Sequence, residues 1–97
     1  MDVEDHNTIE NGYYLEDPYP NPFNPVTTIK YDLPKSGFVE VIVYDILGRK
    51  IKSLVNEYKY AGSYEVNFDA SNLSSGVYFY QLKTQTFVQT KKMVLVR

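Results

Sequence analysis

No cysteine occurs in this chain, so disulfides, thiolate nucleophiles and zinc sites built on cysteine are excluded, while the redox compartment stays open. The one histidine is His6, in an acidic, aperiodic stretch, so no Ser-His-Asp or Cys-His arrangement is expected in the body of the protein. No apolar run approaches the length of a membrane span, and Met1 is followed by acidic residues with neither the basic nor the apolar region of a signal peptide. Glycine is sparse, and Gly48, Gly62 and Gly76 stand isolated as turn residues rather than in a phosphate-binding loop. No cofactor is expected. Basic residues are not dense either: beyond Arg49-Lys50 and Lys91-Lys92 they are scattered, which argues against nucleic acid as a partner. The acids Asp32, Glu40, Asp45, Glu57, Glu65 and Asp69 fall at strand ends, turns or outward positions, where a glycosidase-type pair is not expected. Asp45 and Asn21 could offer oxygens to calcium, but no ligand spacing supports it. Asn72-Leu73-Ser74 matches a glycosylation acceptor, a frequent chance occurrence. These absences together point to a protein that is not an enzyme.

What is present is aromatic and β-branched. Ninety-seven residues make one domain, and its ten tyrosines and five phenylalanines favour strands over helices. Residues 1–17 carry six acids and no Lys or Arg, whereas the remainder holds all ten bases against six acids. Residues 1–12, without periodicity, are expected to be an acidic linker or disordered tail, and residues 13–97 the folded domain. Alternation gives the strands. Ile29, Tyr31 and Leu33 share one face of 27–33, and Val39, Val41 and Val43 one face of 38–45. Residues 49–55 read as a short strand with Ile51 in the core, and 56–62 as a connection. Tyr64, Val66 and Phe68 face inward along 63–69, residues 70–76 cross between sheets, and Tyr78, Tyr80 and Leu82 line 76–84. A last strand lies within 86–96, where Met93 and Leu95 compete with Val94 and Val96 for the inner face. About seven short antiparallel strands at regular spacing make an all-β sandwich.

Two local features stand out. Tyr19 to Pro25, YPNPFNP, places three prolines in seven residues. It reads as a stiff, extended entry into the first strand, with Tyr19 and Phe23 plugging one end of the sandwich. Leu73-Ser-Ser-Gly76-Val-Tyr78 has the layout of a tyrosine corner, Leu73 as anchor and the Tyr78 hydroxyl bonded to backbone a few residues upstream.

In order, YPNPFNP, TTIKYDLP at 27–34, VYDILGRKIKSLV at 43–55, AGSYEVNFDASNLSSGVYFYQL at 61–82 and the closing TKKMVLVR resemble the C-terminal sorting domain of the bacterial type IX secretion system. A related immunoglobulin-like domain of flagellar hook-capping proteins resembles the middle portion. The resemblance implies an immunoglobulin-like β-sandwich acting as an export address on a larger secreted precursor. An N-terminal cargo would pass through the periplasm and be exported by the outer-membrane secretion machinery. A surface cysteine peptidase would then remove the domain, leaving the cargo secreted or on the cell surface. Carried over by position, the residues of the address are Gly76, Tyr78, Lys91, Lys92, Val94, Leu95, Val96 and Arg97. A basic pair beside an apolar terminal strand offers a receptor charge attraction and a sheet edge to extend. Lysine on an edge strand is equally a guard against aggregation.

The alternatives are a non-catalytic carbohydrate-binding module, or a structural accessory domain, of a secreted hydrolase. Exposed rings stack on sugars, and Tyr44, Tyr58 and Tyr60 are the rings expected outside.

Overall fold

The structure, a computed structural model, describes residues 9–10 and 12–97, with side chains from residue 12 onward. Most of the expected acidic tail therefore lies outside the described residues. Ile9 and Glu10 form a two-residue strand, β1, which pairs antiparallel with β2 (Tyr13–Leu15). The other strands are β3 (Val26–Leu33), β4 (Gly37–Asp45), β5 (Lys50–Lys59), β6 (Gly62–Asp69), β7 (Gly76–Lys83) and β8 (Val88–Leu95). They form two four-stranded antiparallel sheets, ordered β1-β2-β3-β6 and β5-β4-β7-β8, so the fold is an all-β sandwich.

Strict alternation builds the core. Ile29, Tyr31 and Leu33 of β3 and Val39, Val41 and Val43 of β4 are buried, as their period of two requires. Tyr80 and Leu82 of β7 and Met93 and Leu95 of β8 complete the inner layer of the second sheet. On β8 the competition between odd and even positions is thus settled in favour of the odd ones. Each open end of the sandwich is closed by rings. Phe23 lies 6.1 Å from Phe68 at the end where β3 begins, and Tyr13 stacks on Phe87 at 4.7 Å at the opposite end.

Ile51 is not a core residue, since it keeps 37% of its surface in solvent. β5 is also longer than expected, and residues 56–59 pair with 37–40 rather than forming a connection. The facing of Ile51 has a cause in the ladder: β4–β5 shifts register between Val41 and Ile42 and again between Val43 and Tyr44, skipping Ile51 at the second shift. Such bulges break the period of two on an edge strand, so alternation counted from Arg49 lands on the wrong face. Val55 is the buried residue of β5, with Leu54 partly packed beside it.

Candidate recognition surface on the closing strand

β8 is the edge of the second sheet and pairs with β7 along its whole length, from Gly76↔Leu95 to Lys83↔Val88. Its other flank is met at one end by the proline-rich entry segment. The Phe23 amide donates to the Val94 carbonyl and the Val96 amide donates to the Phe23 carbonyl, each at 2.9 Å. The Val94 amide donates to Asn21 Oδ1 at 3.0 Å. At its start the segment holds β3, through reciprocal bonds of Tyr19 and Thr28 and from Thr27 Oγ1 to the Pro20 carbonyl. YPNPFNP is therefore a clasp between the two sheets. It bends rather than running extended, because its anchors lie on different sheets. Prolines suit that path: they remove amides at positions 20, 22 and 25, while the amides of Tyr19 and Phe23 are bonded.

Within the clasp the two rings part company. Phe23 is 2% exposed against Phe68, whereas Tyr19 is 81% exposed and plugs nothing. The β-bridge to Thr28 fixes the Tyr19 backbone at the edge of β3, and that geometry turns its ring away from the core.

The two lysines differ in the same way. Lys91 shares the inward parity of Met93 and Leu95, and its side chain is only 12% exposed. Its ammonium lies 2.6 Å from Asp17 Oδ1 and donates to the Leu15 carbonyl, tying β8 to the strand across the sandwich. Beside it, buried Tyr80 donates to the Glu16 carbonyl at 2.6 Å. Burial first, then the charges of Asp17 and Glu16, pushes the Tyr80 phenol well above its ordinary range. Lys91 is thus a structural tie and not half of an exposed basic pair. Lys92, of opposite parity, is exposed.

The remaining address-like residues are mostly occupied with architecture. Tyr78 Oη donates to the Ser74 carbonyl at 2.7 Å, and Leu73 packs against the core. Gly76 has φ +150°, a conformation that side chains rarely adopt. Leu95 is buried. Arg97 closes the 70–75 crossing: Nη1 reaches the carbonyls of Ala70, Ser71 and Leu73 at 2.8–3.2 Å, and its amide donates to Ser75 Oγ. Val94 is half-buried and Val96 exposed.

What remains open is a stretch of backbone. The Val94 amide and carbonyl and the Val96 amide turn away from β7 to meet the clasp. Alternation along an antiparallel edge aims those of Val88, Thr90 and Lys92 the same way, and no described strand pairs with them. The edge is therefore closed at 94–96 and open at 88–92. Parity alone, once anchored on Met93 and Leu95, would have placed Lys91 inside. The bonds of the clasp to β8 and the Arg97 cap join residues more than 20 apart and carry no local signal.

The three tyrosines weighed as a sugar platform do not assemble. Tyr58 and Tyr60 are exposed and adjacent, but their rings meet edge-on at 86° and so form no shared coplanar platform. Tyr44 sits six residues along β4 from Phe38, the partner of Tyr58, and bonds Gln81.

Comparison with protein families matches residues 18–96 to the secretion system C-terminal sorting domain. No curated protein matches the chain.

Proposed function

This chain belongs to the secretion system C-terminal sorting domain family, and on that premise we propose where its address is displayed. The domain is a C-terminal sorting signal for type IX secretion, carried on a larger precursor with an N-terminal cargo and recognised by the secretion machinery. Its destination is the cell surface or the exterior. The proposed display is the open half of β8: the outward backbone of Val88, Thr90 and Lys92, with the Lys92 ammonium beside it. A receptor strand added there would gain main-chain hydrogen bonds, and an acidic group on it would meet Lys92. Of the address-like positions, Tyr78, Gly76, Lys91, Leu95 and Arg97 act by holding this edge in shape, Val94 and Val96 meet the clasp, and Lys92 is the one that faces a receptor. The domain itself is non-catalytic, and a surface cysteine peptidase would act on the chain that precedes Tyr13. The observation that carries the proposal is the half-closed edge, sealed by the clasp at 94–96 and unpaired at 88–92.

The test is a periplasm-targeted fluorescent reporter carrying residues 1–97, expressed in a host with this secretion system. Reporter bearing the native domain should reach the surface or medium. Lys92→Glu should cut export about tenfold, the scale of a reversed charge contact, with an unchanged melting temperature. Equal export of both would remove the open edge from the recognition surface.

A further inference from the structure

At one end of the sandwich the β4–β5 hairpin turns through Asp45-Ile46-Leu47-Gly48-Arg49. The turn is rigidly specified. The Gly48 amide donates to the Asp45 carbonyl, and the Asp45 amide to the Arg49 carbonyl, each at 2.9 Å. The Asp45 carboxylate accepts the amides of Leu47 and Arg49 and pairs with Arg49 Nε at 2.7 Å. Gly48, at φ +84°, supplies the left-handed residue. Everything that makes the turn is thus backbone, Asp45, Gly48 and Arg49.

The side chains of the two residues at its apex contribute nothing to it. Ile46 is 65% and Leu47 73% exposed, at turn positions where polar residues would serve equally well. With Ile51, Leu73 and Val77 they rim an open groove of about 420 Å³. Arg49 and Lys50 are exposed immediately beyond the apex, and Lys52 two residues further. Of the two acids nearby, Asp45 pairs with Arg49, whereas Asp69, bonded to Ser71, keeps its charge and offsets part of that of Lys52. An apolar tip with a collar of bases matches an anionic bilayer: the tip enters the acyl boundary and the bases meet phosphate. A purely apolar protein pocket would satisfy the tip but gives no role to the bases. Among the described residues this end is also unobstructed, since β1 and β2 approach β3 at Tyr31 and Asp32, towards the opposite end.

We propose that this end of the domain docks on an anionic lipid surface, with Ile46 and Leu47 inserting and Lys50 and Lys52 held at the headgroups. The contact is independent of the β8 edge and needs no secretion machinery. The whole chain is mixed with phosphatidylcholine vesicles, with and without phosphatidylglycerol, and followed by flotation. Since the sequence has no tryptophan, Leu47→Trp provides a single emitter at the apex. Binding should be about tenfold or more stronger to the anionic vesicles and weaken with salt, and Trp emission should shift to the blue. Ile46→Ser with Leu47→Ser should lower binding about tenfold at unchanged melting temperature, and Lys50→Glu with Lys52→Glu should erase the preference for phosphatidylglycerol. No flotation with anionic vesicles, or flotation that both double variants leave intact, overturns the proposal. Neither result bears on export of the reporter, which tests the sorting surface separately.

Discussion

Phe23 and Tyr19 sit four residues apart in one motif, yet they belong to different parts of the molecule. Phe23 fills the end of the core against Phe68, and its removal leaves a cavity that backbone bonded on both flanks cannot close. Phe23→Ala should cost about 3–5 kcal/mol, lowering the melting temperature by more than about 12 °C in a domain of this size. Tyr19→Ala should change it by less than about 4 °C, because an exposed ring contributes only a few tenths of a kcal/mol. A calorimetric scan of both separates a plug from a bystander, and similar losses would contradict the split. Asp45 gives the residue scale its pH dependence. Donation from the Arg49 amide, then from the Arg49 side chain and the Leu47 amide, holds its carboxyl below the ordinary 3.8. Asp69 is lowered as well, by Ser71. A group whose pKa is lower in the folded state adds stability above its unfolded value and loses it as pH falls through the folded value. The melting temperature should therefore be flat down to about pH 5 and fall below about pH 4. Asp45→Asn should lower it at neutral pH and reduce the acid decline; an unaltered acid limb would remove Asp45 as a cause.

β8 carries two polar residues on its inner face, Gln89 and Lys91, beside Met93 and Leu95. Inward polar and charged residues on an edge strand discourage pairing with a stray chain, at some expense in stability. Lys91 is compensated by Asp17 and the Leu15 carbonyl, but Gln89 Oε1 is buried with no partner among the described residues. Gln89→Leu should accordingly raise stability by about 1 kcal/mol, since an unmade buried hydrogen bond costs on that order, and should raise the tendency to associate. Thermal melts and light scattering read the two effects; a lower melting temperature would show that Gln89 packs better than its hydrogen bonding implies. Elements are also the scale at which the sequence was most and least legible. Hydrophobic alternation located β3, β4, β6 and β7 and named the core residues of β3, β4 and β7; on β6 only Phe68 is fully buried, with Tyr64 and Val66 packed partly against the core, and β4 also buries Ile42 on its other face. β5 was misread at Ile51 because two bulges reset its parity, and a bulge is set by tertiary fit and has no local signature here. On β8 the basic pair drew attention by charge, while the feature that distinguishes Lys91 from Lys92 is the face each takes. Asn21, Phe23 and Arg97 act through partners at long sequence distance, and a pattern of period two carries no information about those.

Considered whole, the sandwich is closed by its last strand twice over. Met93 and Leu95 are fully buried, Lys91 ties across to β2, Arg97 caps the 70–75 crossing, and Val94 and Val96 receive the clasp. Removing residues 91–97 would take all of these at once. Each lost Met or Leu costs about 2–5 kcal/mol, and the exposed flank of β7 and the unpaired clasp add to that. A domain of this size has a total stability of about 5–15 kcal/mol, so the deletion consumes most or all of it. A chain ending at residue 90 should show no cooperative thermal transition and should be cut rapidly by protease, whereas the full domain melts as one unit. If the shortened chain instead melts cooperatively within a few degrees of the full one, β8 is an accessory and the clasp has another partner. The outcome decides how export experiments can be designed: where the deletion unfolds the domain, lost export reports lost structure, and only substitutions that spare the melt, as at Lys92, can report recognition.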